Sequence, residues 1–530
     1  MRRKEIVHII ILFFLFAFTT NAQEQDTITT SQNARQTRVY LEHANTLSYN
    51  RDINPDAQIL VGDVRFRHDS SYMFCDSAYF YELSNTLEAF SNVRMEQGDT
   101  LFVYGNYLLY DGNTQLANLR ENVRMENGEV TLFTDSLNYD RLENIGYYFE
   151  GGLIVDEENE LSSFYGQYSP SSKLAIFNND VVLENPNFIL YSDTLHYNTD
   201  TKVALILGPS VIESDSGTVY TSRGWYDTAN ELSLLLDRSR IVSGEKWLEG
   251  DSIVYNRGEG FAEAFGNMIL QDTAQQVVLE GEYGFYNEKT EFAFATENAR
   301  FLEYSQGDTL YLHADTLEMM TADSDYREIK AYHGVRFFRV DVQGVCDSMH
   351  FNTRDSVLYM IKDPIIWNDA YQLYGDTILI YMNDSTVDYA HVKQFAFAIQ
   401  HVESSYYNQI KGNDLKAYFD GSVVRKIDVE GNAESIYYPL EDDGTMVGLN
   451  ALKSGFLTMW LSENQLDKLV VWPTPQGVIT PIPDLTPDQK TLKDFHWFEY
   501  LRPKDKDDIF TQVERNIQDA PPPRSNKFVY

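Results

Sequence analysis

Seven aspartates, Asp76, Asp135, Asp193, Asp251, Asp315, Asp347 and Asp376, recur in one local pattern, apolar-x-Asp-Thr/Ser-apolar-x-aromatic. Stacked carboxylates could bind calcium as a ladder, or, gathered locally, supply the acid and base of polysaccharide cleavage. Calcium ladders of this kind use Gly-rich nonapeptides, which are absent here. An aspartate can instead accept local backbone N–H groups in an Asx-turn, and that structural role is the expectation. A polysaccharide-cleaving site would need a cluster of unlike residues that breaks the pattern, and none is visible. Nine histidines follow Ile9, none at H-x-x-x-H spacing, and there is no C-x-x-C. Gly-rich phosphate loops, a G-x-S-x-G elbow and a Cys/His pair are absent as well. No catalysis, no cofactor and no metal are expected.

The aspartates belong to a longer unit that must position them. Its first half reads LFTDSLNYD, LYSDTLHYN, LEGDSIVYN, LHADTLEMM, GVCDSMHFN and LYGDTILIY. Looser copies centre on Asn45, Asp76, Asn106, Gln167, Arg223, Glu282 and Asp414. The second half, an apolar/small alternation leading into Gly/Asn-Val, ends at Met95, Met125, Leu270 and Phe337. Thirteen copies with a period of about 30 span residues 37 to 440, and a weaker fourteenth ends near Pro473.

Within a unit the alternation has period two, the signature of strands. One face carries Leu108 and Tyr110, Leu137 and Tyr139, Leu195 and Tyr197, and Ile253 and Tyr255. It continues through Leu317 and Met319, Met349 and Phe351, and Ile378 and Ile380. The other face holds Ser136, Asn138, Thr194, His196, Ser252 and Thr316, which suits water. A lone unit cannot bury its apolar face, whereas stacked units can. The expected fold is all-β, an elongated repeat β-jellyroll or β-solenoid. At one or two strand layers per repeat, thirteen repeats make a rod of about 60 or 125 Å. Cys75 and Cys346 occupy the same slot nine repeats apart, on the order of 43 Å along such a rod, so two free thiols are expected.

The ends read differently. Arg2, Arg3 and Lys4 precede an apolar run from Ile6 to Phe18, with Thr20 and Ala22 before a cut at Gln23. This is the form of a secretory signal peptide, and the run is too short to span a bilayer. Residues 23–36 are expected to be a flexible segment and 37–473 the repeat domain. Nine of the 15 prolines lie from Pro473 onward, marking a capping segment at 474–510. Thr486-Pro487-Asp488-Gln489 has a capping-box form, and a short helix over Gln489 to Tyr500 would cover the open end of the last sheet with Phe495, Trp497, Phe498 and Tyr500. Docking of a partner there is the alternative. Residues 511–530, with Pro521-Pro522-Pro523, are expected to be a disordered tail.

The net charge of −38 becomes 39 − 79 = −40 once residues 1–22 are removed. It repels phosphates and excludes a nucleic-acid-tracking role, while a 43% hydrophobic, 14% aromatic chain is too apolar for disorder. The charge then describes a solvated outer surface.

His313-Ala-Asp-Thr-Leu317, Ser192-Asp-Thr-Leu195, Gly375-Asp-Thr-Ile378, Ala264-Phe-Gly-Asn-Met268 and Ser91-Asn-Val93 resemble the OstA/LptA repeat of lipopolysaccharide-transport proteins. The resemblance covers about four fifths of the chain. It implies a twisted β-jellyroll with an apolar groove, lined by the fourteen face residues named above, that shields lipopolysaccharide acyl chains while the sugar head projects out. It also implies a periplasmic location, with outer-membrane association as a further option. The implied partners are lipopolysaccharide, transport proteins of the inner and outer membranes, and copies of the chain itself joined end to end. Two departures stand out: the chain is longer than a minimal member and lacks a large C-terminal membrane barrel. A structural β-solenoid, an envelope spacer or adhesin stalk, is the competing reading. It would have a dry, filled core where the conduit would have a cavity or groove.

Overall fold

Alternation of period two makes strands, and interrupting it in mid-strand makes them bend. The computed structural model describes residues 37–516, apart from 306, 324–325, 384–385, 422, 442–443 and 463–464. These residues form one antiparallel meander in which each long strand pairs with the one before and the one after. Ser71–Tyr81 lies between Gln58–His68 and Thr86–Gln97, and Leu101–Asp111 between Thr86–Gln97 and Leu116–Asn127.

Near the middle of each long strand the register shifts, for example between Phe90 and Val93. On alternate strands the shift holds two successive left-handed residues: Ser91 and Asn92, Glu121 and Asn122, Asn179 and Asp180, Gly266 and Asn267. Such a pair turns the strand through a corner, so one half of it lies in each of two arms. The Gly-Asn of the repeat's second half is therefore the corner itself. A Cβ at Gly266 would lie 2.6 Å from the Asp251 carboxylate, so a side chain there requires that carboxylate to shift. Each repeat contributes two strands, so the two-layer estimate of about 125 Å applies.

The inner faces of both arms form one continuous buried cluster from Val39 to Met459. Large rings sit beside small partners. Ala117 pairs with Tyr139, Ala175 with Tyr197, Ala204 with Tyr226, and Ala293 with Tyr286. An alanine on the adjacent strand leaves space for the tyrosine ring to lie across it, which gives close packing without strain. Cys75 and Cys346 are both buried and free, and burial pushes each thiol up to about 12.

Four expectations need correction. Ser136 is buried, not water-facing; it sits at the corner, its amide 3.3 Å from the Thr134 hydroxyl. Among the described residues, the segment after 481 contains only three-residue 3-10 turns as regular structure. The capping box at Thr486 and Gln489 is present, yet it closes just Pro487–Gln489. The strand ladder also runs past Pro473, through Gln476–Pro481.

The following chain is a strap, not an end cap. It crosses the outer face of one arm, where Phe498 and Leu501 pack on Ile365 and Trp367. Gln372 donates to the His496 carbonyl at 2.8 Å and accepts from the Phe498 amide at 2.7 Å. Arg336 donates to the Leu501 carbonyl, and Arg502 to Gln343. Phe495 and Trp497 both stack near Tyr407, while Tyr500 stays exposed. Residues 511–516 continue this strap, with Arg515 bonded to the Asp363 carbonyl. The expected signal peptide, the 23–36 segment and residues 517–530 lie outside the described residues.

Candidate functional site

The fourteen predicted face residues all point into the jellyroll. Leu108, Tyr110, Leu137, Tyr139, Leu195, Tyr197, Ile253, Tyr255, Leu317, Met319, Met349 and Ile378 are buried, and Phe351 and Ile380 are half-buried. The Asp column sits at the corner instead, on the opposite side from the mouth. Its carboxylates accept mainly from the neighbouring bend: Asn92 Nδ2 to Asp76 at 2.7 Å, Asn267 Nδ2 to Asp251 at 2.8 Å, and the Asn122 amide to Asp135 at 3.3 Å. Asx-turns are made by a different column at the hairpins, by Asp111, Asp140, Asn198 and Asp227. Among the described residues no three His, Cys, Asp or Glu side chains converge to hold a metal.

Bending every strand at one side brings the hairpins of the two arms face to face at the other. No backbone ladder closes this mouth in the N-terminal layers. Side chains do, in a seam built on a column of tyrosines. Tyr110, Tyr139, Tyr168, Tyr197, Tyr226 and Tyr255 follow one another at intervals of 29 residues, with Tyr286 next. Each sits near the end of its arm and aims its hydroxyl at the hairpin of the other.

Tyr110 meets His68 Nδ1 at 2.6 Å, and Arg141, which also bonds Tyr110, donates to Ser71 at 2.7 Å. Tyr139 lies 3.0 Å from Gln97 Oε1. Asn127 donates to Tyr168 at 3.1 Å. Tyr197 donates to Asp156 at 2.6 Å, and Lys202 pairs with the same carboxylate oxygen at 3.1 Å. Burial raises all of these phenols, Tyr110 to about 12, so each stays neutral. His68 shifts the other way: burial, then the Arg141 charge, lowers it, so it remains neutral inside the latch.

Further along the seam changes character. The Tyr226 hydroxyl is buried without a hydrogen-bond partner. Beside it, a narrow cleft of about 10 Å³ opens between Lys246, Trp247, Tyr255, Tyr286 and Glu288. Its floor is Ile241, Leu248, Ala262 and Leu270. Beyond Tyr286 the same column becomes Met319, Phe351 and Ile380, without hydroxyls. A shallow hollow of about 730 Å³ on the outside of the corner, lined by polar groups around Tyr107 and Arg120, opens to solvent and does not reach this interior.

Residues 36–193 match the family model of OstA-like protein. That stretch is OstA-like. Among solved structures it is similar to LptH of Pseudomonas aeruginosa, described as the LptA-homologous periplasmic component of the lipopolysaccharide transport device. That likeness has 18% identity and a TM-score of 0.19, and covers 21% of this chain and 82% of the other. No curated protein matches. The matched region contains the latched seam from His68 to Tyr168 and, of the next layer, Asp156 but not Tyr197 or Lys202. Sequence reading found Tyr139, Tyr197 and Tyr255 through the Asp-Thr/Ser motif, and Tyr110 as the equivalent position of the looser copy at Asn106. It missed Tyr168, Tyr226 and Tyr286, where that motif is degraded, although their spacing was available. His68, Arg141, Asp156 and Lys202 carried no signal, since each is matched to its tyrosine only by the fold.

Proposed function

We propose that this OstA-like protein is a periplasmic conduit that shields the acyl chains of lipopolysaccharide on their way to the outer membrane. The observation that supports it most is how the jellyroll is shut. One side is covalently continuous at the corner, while the mouth is held by hydrogen bonds between side chains. Separating the arms therefore exposes an unbroken apolar lining without breaking a strand ladder. Each methylene that replaces the lost contacts contributes about 0.8 kcal/mol, so a few acyl chains offset the loss of several latches worth about 1 kcal/mol each. The lining would be the fourteen face residues, from Leu108 to Ile380, with the sugar head outside.

The chain's two ends suit assembly with other transport proteins or with further copies. Tyr40–His43 at one end and Gln476–Pro481 at the other are edge strands, with Tyr40, Val478 and Ile479 exposed, and exposed edges accept another strand. An exported, periplasmic location belongs to the same reading.

One observation favours the alternative of a structural solenoid: Leu108, Leu137, Leu195 and Ile253 are 0% exposed, so the interior as it stands is filled. The two readings separate on one experiment. A photo-crosslinking amino acid at Leu195 and at Ile253, in cells, should give lipopolysaccharide adducts, whereas the outward Thr194 and Ser252 positions should not. Export without adducts at any inner position would leave the solenoid.

A further inference from the structure

We infer that hydrocarbon tails are admitted sideways at one place in the seam, the cleft between the Ser243–Lys246 hairpin and Tyr255 to Glu288. This rests on the lipid-conduit reading and adds to it a site of loading.

Four independent features meet there. The latch bonds that close the layers of Tyr110, Tyr139, Tyr168 and Tyr197 lapse at Tyr226, whose buried hydroxyl bonds nothing. An unsatisfied buried hydroxyl makes its layer less stable than its neighbours. The crevice that follows has an apolar floor with the buried Tyr255 above it and a rim of amphipathic side chains, Trp247 and Tyr286, with Lys246 and Glu288 outermost. Arg240 lies 4.5 Å over the Trp247 ring, holding it at the rim. Finally, Lys246 spans the mouth here to the partly exposed Glu291 at 3.1 Å, with the buried Asp272 carboxylate farther off at 3.9 Å, a looser arrangement than the Asp156 latch, where Lys202 and Tyr197 reach one carboxylate oxygen at 3.1 and 2.6 Å. The ligand class follows from the lining. The floor of Ile241, Leu248, Ala262 and Leu270 is apolar and the cleft at rest has only about 10 Å³, so it takes an acyl chain by widening, and the mixed charges of the rim keep a polar head outside.

The test staples the mouth in the purified full-length protein. Lys246→Cys with Glu291→Cys, joined by a reducible thiol crosslinker, closes the proposed port; Gln97→Cys with Asn144→Cys, whose amide oxygens lie 3.0 and 2.6 Å from the Tyr139 hydroxyl, closes a latched layer as control. The buried native thiols, pushed up to about 12, stay unreactive. Lipopolysaccharide micelles are added, and adduct formation at a photo-crosslinker replacing Ile253 is followed in time. The port predicts a loss of initial rate of about tenfold or more with the first staple, restored by reductant, and under twofold with the second. Equal slowing by both staples, or by neither, overturns a single port while leaving the lipid reading intact. Absence of adducts even in the unstapled protein would sink the lipid reading itself.

Discussion

The N-terminal and C-terminal halves of the jellyroll share a core pattern and are secured in different ways. From His68 to Lys202 the mouth is latched from within, by tyrosine hydroxyls reaching polar hairpin residues. From Gln343 to Gln409 the corresponding positions are Phe351 and Ile380, and one arm is braced from outside by the 482–516 strap. A latch resists separation of the arms, whereas a strap stiffens one arm and leaves the mouth apolar. The lesson is that repeats alike in sequence need not open alike, because the groups that set the opening lie outside the repeated core pattern.

The largest expected effect comes from breaking the strap. Phe498→Ala empties a buried site against Trp367 and should cost about 4 kcal/mol. Limited proteolysis should then release the segment after Leu485, while hydrogen exchange in Leu101–Asp111 stays slow. Loosening of both halves together would show that they are one cooperative unit. Next is the strongest latch. Asp156→Ala removes a fully buried carboxylate from Tyr197 and Lys202 and should cost about 3 kcal/mol, read as faster exchange in Phe188–Asn198 with the strapped half unchanged.

A smaller pair sharpens the contrast within the seam. Tyr197→Phe loses a hydrogen bond to a charged acceptor, worth about 1.5 kcal/mol. Tyr226→Phe loses a hydroxyl that has no partner, so its melting curve should match the parent or lie slightly above it. A loss at Tyr226 as large as that at Tyr197 would remove the basis for calling this layer unlatched.

The smallest effect is on pH. Burial raises the Glu288 carboxyl, against the opposing influence of Tyr255 and Lys289. The folded protein therefore holds that proton at a pH where the unfolded chain has released it. Stability of the Tyr255 to Tyr286 layers should rise as pH falls through the raised value, and gain nothing further below the ordinary glutamate range. Glu288→Gln should have the gain already at neutral pH and lose the dependence, as measured by exchange between about pH 7 and pH 5.

Much of this architecture is legible in the chain itself, because it depends on local rules that recur many times. Period-two alternation sets strands, the recurrent Gly-Asn and Asn-Val set where they bend, and pairs such as Leu195 and Tyr197 set which face turns inward. Repetition averages away the ambiguity of any single copy. The role of the Asp column was legible only in part. Its structural use is evident, but the acceptance of Asn92 and Asn267 side chains requires knowing which strand lies alongside. What the tertiary structure alone decided is the seam and the strap. Tyr110 finds His68 across 42 residues, and Gln372 finds Phe498 across 126. Such contacts depend on how the bent arms close in space, and a linear pattern encodes the bend at each corner but not which side chains the accumulated bends bring together.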